Sequence, residues 1–137
     1  MIYSIGYSKW TVEQLITTIA NKQIDLLVDL RSTPFGRFNP PFNRPNLERV
    51  LKGRYVWKGG ILGGKYGPAT DEGIAWLVEQ SEKNLIIMCV EMDPCQCHRL
   101  TDVSARLMLE HGIDVVHILD TGEEHPTSYY LGNLGGT

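Results

Sequence analysis

Apolar, β-prone residues gather in short runs that recur along the chain: near 1–5 (IYSI), 24–30 (IDLLVDL), 54–58 (RYVWK), 85–90 (LIIMCV) and 113–119 (IDVVHIL). The nearly unbroken runs LLVDL and LIIMCV suit strands buried on both faces. Between the runs the apolar spacing becomes helical. Thr11 can cap a helix in which Val12, Leu15, Ile16 and Ile19 recur at helical intervals. Pro45 suits the first turn of a short helix over 45–52, with Leu47, Val50 and Leu51 inside. Thr70 or Asp71 starts a third helix, with Ile74, Leu77 and Val78 facing in. A fourth begins near His98, carries Leu100, Val103, Leu107 and Met108, and stops at Gly112. Strands alternating with helices in this way predict a single α/β domain over 1–137. Its sheet would be mostly parallel, of about five strands, with helices on both faces.

That fold directs attention to the segments after each strand, because open α/β sheets bind ligands outside the carboxyl ends of their strands. Those segments are GYSKW (6–10), RSTPFGRFNPPFNRP (31–45), GGILGGKYGPAT (59–70), EMDPCQCHR (91–99) and DTGEEHPTSYY (120–130). The second and third are long beside the usual βα loop of about 2–6 residues. The stretch 121–137, ending YYLGNLGGT, reads as a tail that frays or meets a partner.

Composition narrows the options without naming one. The chain has 137 residues, 42% hydrophobic and 21% charged, with a net charge of −3. It is long enough to bury a core without disulfides or metal. Without a basic excess, nucleic acid would not be held by bulk charge. The opening MIYSIGYS lacks the basic and apolar regions of a signal peptide, and no run is long enough to span a bilayer. These features predict a cytoplasmic protein with reduced cysteines and no membrane partner.

The densest chemistry is CVEMDPCQCHR, Cys89 to Arg99. Four-ligand zinc usually needs spaced pairs, and Cys89, Cys95, Cys97 and His98 are compressed with no second pair, so no metal or other cofactor is expected. Cys97 and His98 at a helix start, followed by Arg99, suit a thiol with a lowered pKa. A pocket in which His98 and Arg99 meet an anion is the preferred role of the segment. The plainer account makes Cys89 a small core residue and His98 a cap.

In VDLRSTPFGRFNPPF, Asp29 and Arg31 are two apart and share a strand face. They form either a buried pair that ties down the loop or part of a cleft. Arg31 and Arg37, interleaved with Phe35, Phe38 and Phe42, suit an anionic, ring-bearing ligand. GGILGGKYG has the spacing of a phosphate loop, but Tyr66 stands where Ser or Thr is needed. Its Gly63 and Gly64 either admit a ligand close to the backbone or make the loop flexible. In SIGYS, Gly6 and Ser8 follow the first strand without a nucleophile elbow.

Taken in order, SIGYS, LLVDLRSTPFGRFNPPFN, LGG at 62–64 and CVEMDPCQCHR resemble the domain-of-unknown-function family 488, with its C-x-E-x-D-P-x-x-C-H-R pattern. The resemblance implies a compact α/β domain and no particular activity. Its motif positions here are Gly6, Ser8, Asp29, Arg31, Pro34, Arg37, Cys89, Glu91, Asp93, Cys97, His98 and Arg99, while Cys95 falls in a variable slot. The expected function is an enzyme acting on a nucleotide or nucleic-acid-like anion. Cys97, His98 and Glu91 would be catalytic, and Ser8, Asp29, Arg31, Arg37 and Arg99 would bind. The alternative is a ligand-sensing module that uses the same pocket without chemistry.

Overall fold

The computed structural model describes residues 1–91 and 93–135. Six strands form one sheet: β1 (Ile2–Gly6), β2 (Leu26–Asp29), β3 (Tyr55–Trp57), β4 (Leu85–Cys89), β5 (Val115–Ile118) and β6 (Glu124–Pro126). Their order is β3-β2-β4-β1-β5-β6; the first five run parallel and β6 pairs antiparallel with β5. The helices are α1 (Val12–Asn21), α2 (Arg44–Leu51), α3 (Gly59–Leu62), α4 (Asp71–Gln80), α5 (Ala105–His111) and α6 (Thr127–Gly135). The expected α/β class and mostly parallel sheet are therefore present. No helix among the described residues is long and apolar enough to cross a membrane.

Alternation along the strands builds two cores. Ile5, Leu27, Ile86 and Met88 point to one face and pack with Leu15 and Ile19 of α1 and Leu47 and Leu51 of α2. Ile2, Val28, Leu85 and Ile87 point to the other and pack with Leu62, Ile74, Leu77, Val103 and Leu107. β1 and β2 thus lead to helices on the first face, and β4 leads to the opposite one. β4 and its two neighbours send their chains to opposite faces of the sheet, which opens a crevice on both sides of the β4 carboxyl end.

Local signals act as expected at most helix ends. Thr11 Oγ1 accepts from Gln14 N–H and Gln14 Oε1 accepts from Thr11 N–H, a reciprocal capping box. Thr70 Oγ1 caps α4 through Gly73 N–H, and Gly112, at φ 67°, ends α5. Ile16 is 42% exposed, since Leu15 and Ile19 of its stripe face the sheet with Val12 packed beside them.

Two regions depart from the sequence reading. The helix expected from His98 opens as a π-helical turn, Arg99–Ser104, and becomes α-helical at Ala105. The Ser104 hydroxyl donates to the Arg99 carbonyl across that turn. The stretch read as a tail forms β6 and α6. Gly136 and Thr137 lie outside the described residues.

What anchors this C-terminal unit is a directed chain of buried hydrogen bonds. Thr127 Oγ1 donates to the Val115 carbonyl (3.0 Å), so it accepts from His117 Nε2 (2.9 Å). Nδ1 is then an acceptor, and the Ser4 hydroxyl of β1 donates to it. Asp114 adds a carboxylate bond to Thr127 N–H at 3.0 Å.

His117 is neutral in this chain. Burial first, and the nearby Arg99 cation second, lower its pKa from 6.5 to about 3. The unfolded chain therefore takes up a proton on acidification that the folded state refuses, and stability falls as pH drops through that window. From this group alone, urea unfolding should show a loss of about 2 kcal/mol between pH 7 and pH 5. His117→Gln should be less stable at pH 7 and show a shallower acid slope. An unchanged slope would contradict a neutral buried His117.

Candidate functional site

Cys89 ends β4 inside the crevice, and the chain returns to it within a few residues. Asp93 Oδ1 accepts from Cys95 N–H (3.0 Å), and Pro94–Gln96 make a 3-10 turn. That turn sets Cys97 and His98 back beneath the strand end. The two thiol sulfurs and a ring nitrogen of His98 all lie within 4.8 Å of one another. Cys95 is outside this cluster.

His98 is held by its far side. Its Nε2 lies 2.9 Å from the Leu62 carbonyl, which can only accept, so Nε2 carries a proton. Nδ1 then faces Cys89 Sγ at 3.9 Å and Cys97 Sγ at 4.0 Å. The hydrogen bond from Cys89 pulls the Cys97 thiol well below the usual thiol range; burial opposes this, and His98 and the Arg99 cation reinforce it. Cys89 is pushed up in turn, by its bond to the Cys97 sulfur and by burial. Within the pair the proton is therefore favoured on Cys89 and the negative charge on Cys97. Burial works against the His98 imidazolium, but the Cys97 thiolate outweighs it and the His98 pKa is raised.

Arg99 is 0% exposed. Its Nε donates to Ser4 Oγ (3.2 Å) and its Nη1 to the Glu91 carbonyl. The Ser4–His117–Thr127 chain described above therefore ends on this guanidinium and orients it. A cation with no exposed surface acts on its neighbours rather than on an external anion. Its charge favours the Cys97 thiolate and disfavours a second proton on His117.

Arg31 is likewise committed. Its Nε and Nη2 bind Asp29 Oδ1 and Oδ2 at 2.9 and 2.7 Å, and Nη2 also reaches the Phe42 carbonyl at 2.7 Å. Tyr55 donates its hydroxyl to Asp29, and the guanidinium lies 5.0 Å from the Tyr7 ring centre. Burial works against the charged guanidinium, but the Asp29 carboxylate outweighs it and the Arg31 pKa is raised. This buried pair ties the β2–α2 loop to the sheet.

The glycine stretch presses onto the same region. An added Cβ at Gly59 would lie 1.9 Å from the Arg31 carbonyl oxygen, and one at Gly63 would lie 2.2 Å from Ser32 Oγ. One at Gly64 would meet His98 Cγ at 2.8 Å and Nδ1 at 3.0 Å. These glycines bring backbone against the side chains of the site itself.

Two clefts open above. The first, about 410 Å³, is lined by Arg31, Ser32, Thr33, Gly64, Lys65, Cys89, Val90 and His98. The second, also about 410 Å³, is lined by Ser8, Lys9, Glu91, Asp93, Pro94, Leu119, Asp120 and Tyr130. Of the expected site residues, Cys97, His98 and Arg99 come together, joined by Cys89, with Arg31 in the wall of the first cleft. Ser8 and Glu91 belong to the second cleft, and Asp29 lies beneath the floor. Arg37 is exposed on the β2–α2 loop and lines neither cleft. Ser4, His117 and Lys65 were not picked out by sequence. The first two are hidden inside apolar strand runs, and Lys65 carried a signal only as the lysine of the incomplete phosphate-loop spacing.

Comparison with family models, with curated proteins and with solved structures finds no match.

Gly64→Ala should displace the His98 ring and cost about 1–3 kcal/mol in chemical denaturation. Gly36→Ala, with nothing within 4 Å of the added Cβ, is the control and should be near neutral. Asp29→Asn should cost about 3–5 kcal/mol by leaving Arg31 incompletely paired. Equal stability of the Gly64 and Gly36 variants would contradict the close packing.

Proposed function

We propose that this protein is an enzyme that uses a Cys97 thiolate on a small anionic, nucleotide-like substrate held in the first cleft. One observation carries the reading. Nδ1 of His98, fixed by the Leu62 carbonyl, faces both thiols, and His98 and Cys89 line a crevice beside the β4 carboxyl end with Cys97 buried just behind them. Thiol and imidazole within reach of each other, with the imidazole oriented by a third group, is the arrangement an activated cysteine requires.

In this mechanism the Cys97 sulfur attacks an electrophilic centre of the substrate, and His98 supplies a proton to the leaving group. Arg99 stabilises the resting thiolate from below, and Cys89 keeps its proton. Lys65 and the Ser32 and Thr33 hydroxyls are the cleft groups suited to an anion. Phe35 and Phe38, 57% and 72% exposed on the loop after β2, are available to stack on a ring. Glu91, expected to be catalytic, lines the other cleft and has no part in this step. The resemblance to family 488 is compatible with the proposal and adds no activity to it. A reducing, cytoplasmic setting fits reduced thiols.

A sensing module without chemistry is favoured by one fact: Cys97 is only 5% exposed. Two measurements on metal-free protein separate the readings. A panel of nucleotides and phosphate esters should contain at least one member that raises the melting temperature. Lys65→Ala should weaken that ligand by about tenfold, the equivalent of ~1.4 kcal/mol. Mass-mapped iodoacetamide labelling at pH 6 should modify Cys97 faster than a free peptide cysteine. Ligand binding with slow labelling would leave the sensor, and no stabilisation by any compound would overturn both.

A further inference from the structure

The same three atoms have a second capacity that needs no substrate. We propose that Cys89 Sγ, Cys97 Sγ and His98 Nδ1 form a three-ligand site for a thiophilic divalent cation of the zinc class, with its fourth coordination position facing the first cleft. Occupancy would silence the thiolate, so the metal-loaded and nucleophilic forms are alternatives.

The geometry supports this at each step. A tetrahedral ion at bond lengths of about 2.3 Å to sulfur and about 2.0 Å to nitrogen needs ligand atoms roughly 3.5–3.8 Å apart. His98 Nδ1 lies 3.9 and 4.0 Å from the two sulfurs, and the whole set lies within 4.8 Å. Contraction of the nitrogen–sulfur distances by about half an ångström, and of the sulfur pair by at most about 1 Å, closes the site. The donor set is right for the ion: two cysteines and one histidine, with an open position, is an established zinc arrangement.

The imidazole is also prepared as a ligand. Metal-bound histidines almost always donate their other N–H to a carbonyl, carboxylate or water, which fixes the tautomer. Here Nε2 donates to the Leu62 carbonyl at 2.9 Å, and Gly64 packs against the other side of the ring. Cys89 and His98 line the cleft, so an ion has a path in and room for an exogenous fourth ligand. Binding releases the Cys89 proton, and any proton on His98 Nδ1, to solvent. Two thiolates neutralise the ion, which leaves the Arg99 charge to its Ser4 and Glu91 partners.

The spacing that argued against four-ligand zinc concerned a cluster including Cys95. Without it, the strand contributes one ligand and the turn two.

Cobalt(II) titration of the reduced, chelator-treated protein tests the site directly. The expected result is equimolar binding with a thiolate-to-cobalt charge-transfer band and the intense visible bands of tetrahedral cobalt, both reversed by zinc. Cys89→Ser, Cys97→Ser and His98→Gln should each lose affinity by more than the ~10–100-fold that removal of a supporting hydrogen bond costs. Cys95→Ser should bind as the native chain does. If the site variants do not fold, the native protein serves: zinc should slow alkylation of Cys89 and Cys97 and leave Cys95 unchanged. Absence of the charge-transfer band, bands that survive in folded Cys89→Ser and Cys97→Ser proteins, or zinc protection centred on Cys95 would overturn the proposal. The cobalt readout involves no nucleotide, so a failed ligand panel and a failed metal site are distinct results.

Discussion

A guanidinium with no exposed surface must be compensated from within, and Arg99 imposes that demand where β1, β4 and the following helical turn meet. An uncompensated buried charge costs several kcal/mol even after relaxation. The surroundings answer with the Ser4 hydroxyl, the Glu91 carbonyl and the nearby Cys97 sulfur, whose pKa the charge lowers. Ser4 accepts from Arg99 and so donates to His117; His117 stays neutral and donates to Thr127, whose hydroxyl ends the chain on Val115. One buried charge thereby links the thiol site to the last strand and helix. The protonation of Cys97, the tautomer of His117 and the docking of the C-terminal unit belong to one electrostatic arrangement.

The other wall of the site is held by a second buried charge with the opposite solution. Arg31 meets a full carboxylate partner in Asp29, so it acts as a fastening for the loop that carries Ser32 and Thr33. Gly59, Gly63 and Gly64 then bring backbone against that loop and against His98. The result is a rigid surround for three reactive atoms, with solvent access on one side. Lys65 is the exposed cation at that opening, and both buried arginines act from behind it.

Much of the frame was legible in the sequence. Strand runs, the Thr11 and Thr70 caps, Pro45 and Gly112 each report a local preference that the tertiary structure keeps. The shared face of Asp29 and Arg31 followed from strand periodicity alone. What escaped reading depends on partners distant in sequence. Ser4 and His117 are 113 residues apart and meet only because β1 and β5 are neighbours. β6 is a short edge strand containing Pro126, without the alternation that marks longer strands. The π-helical turn depends on a side chain, Ser104, bonding back to Arg99. The burial of Arg99 could not be inferred from its neighbours, because the CHR stretch reads equally well as pointing outward.

The central claim is that Cys97 is ionised at neutral pH because Cys89, His98 and Arg99 all face it. Carbon-13 NMR of β-labelled cysteine in the metal-free protein tests it most directly. The account predicts a Cys97 signal at the thiolate position throughout pH 6–8, a Cys89 signal that stays at the thiol position, and a Cys97 midpoint that rises in Cys89→Ser. All three cysteines titrating together near the ordinary thiol value of about 8.5 would contradict it.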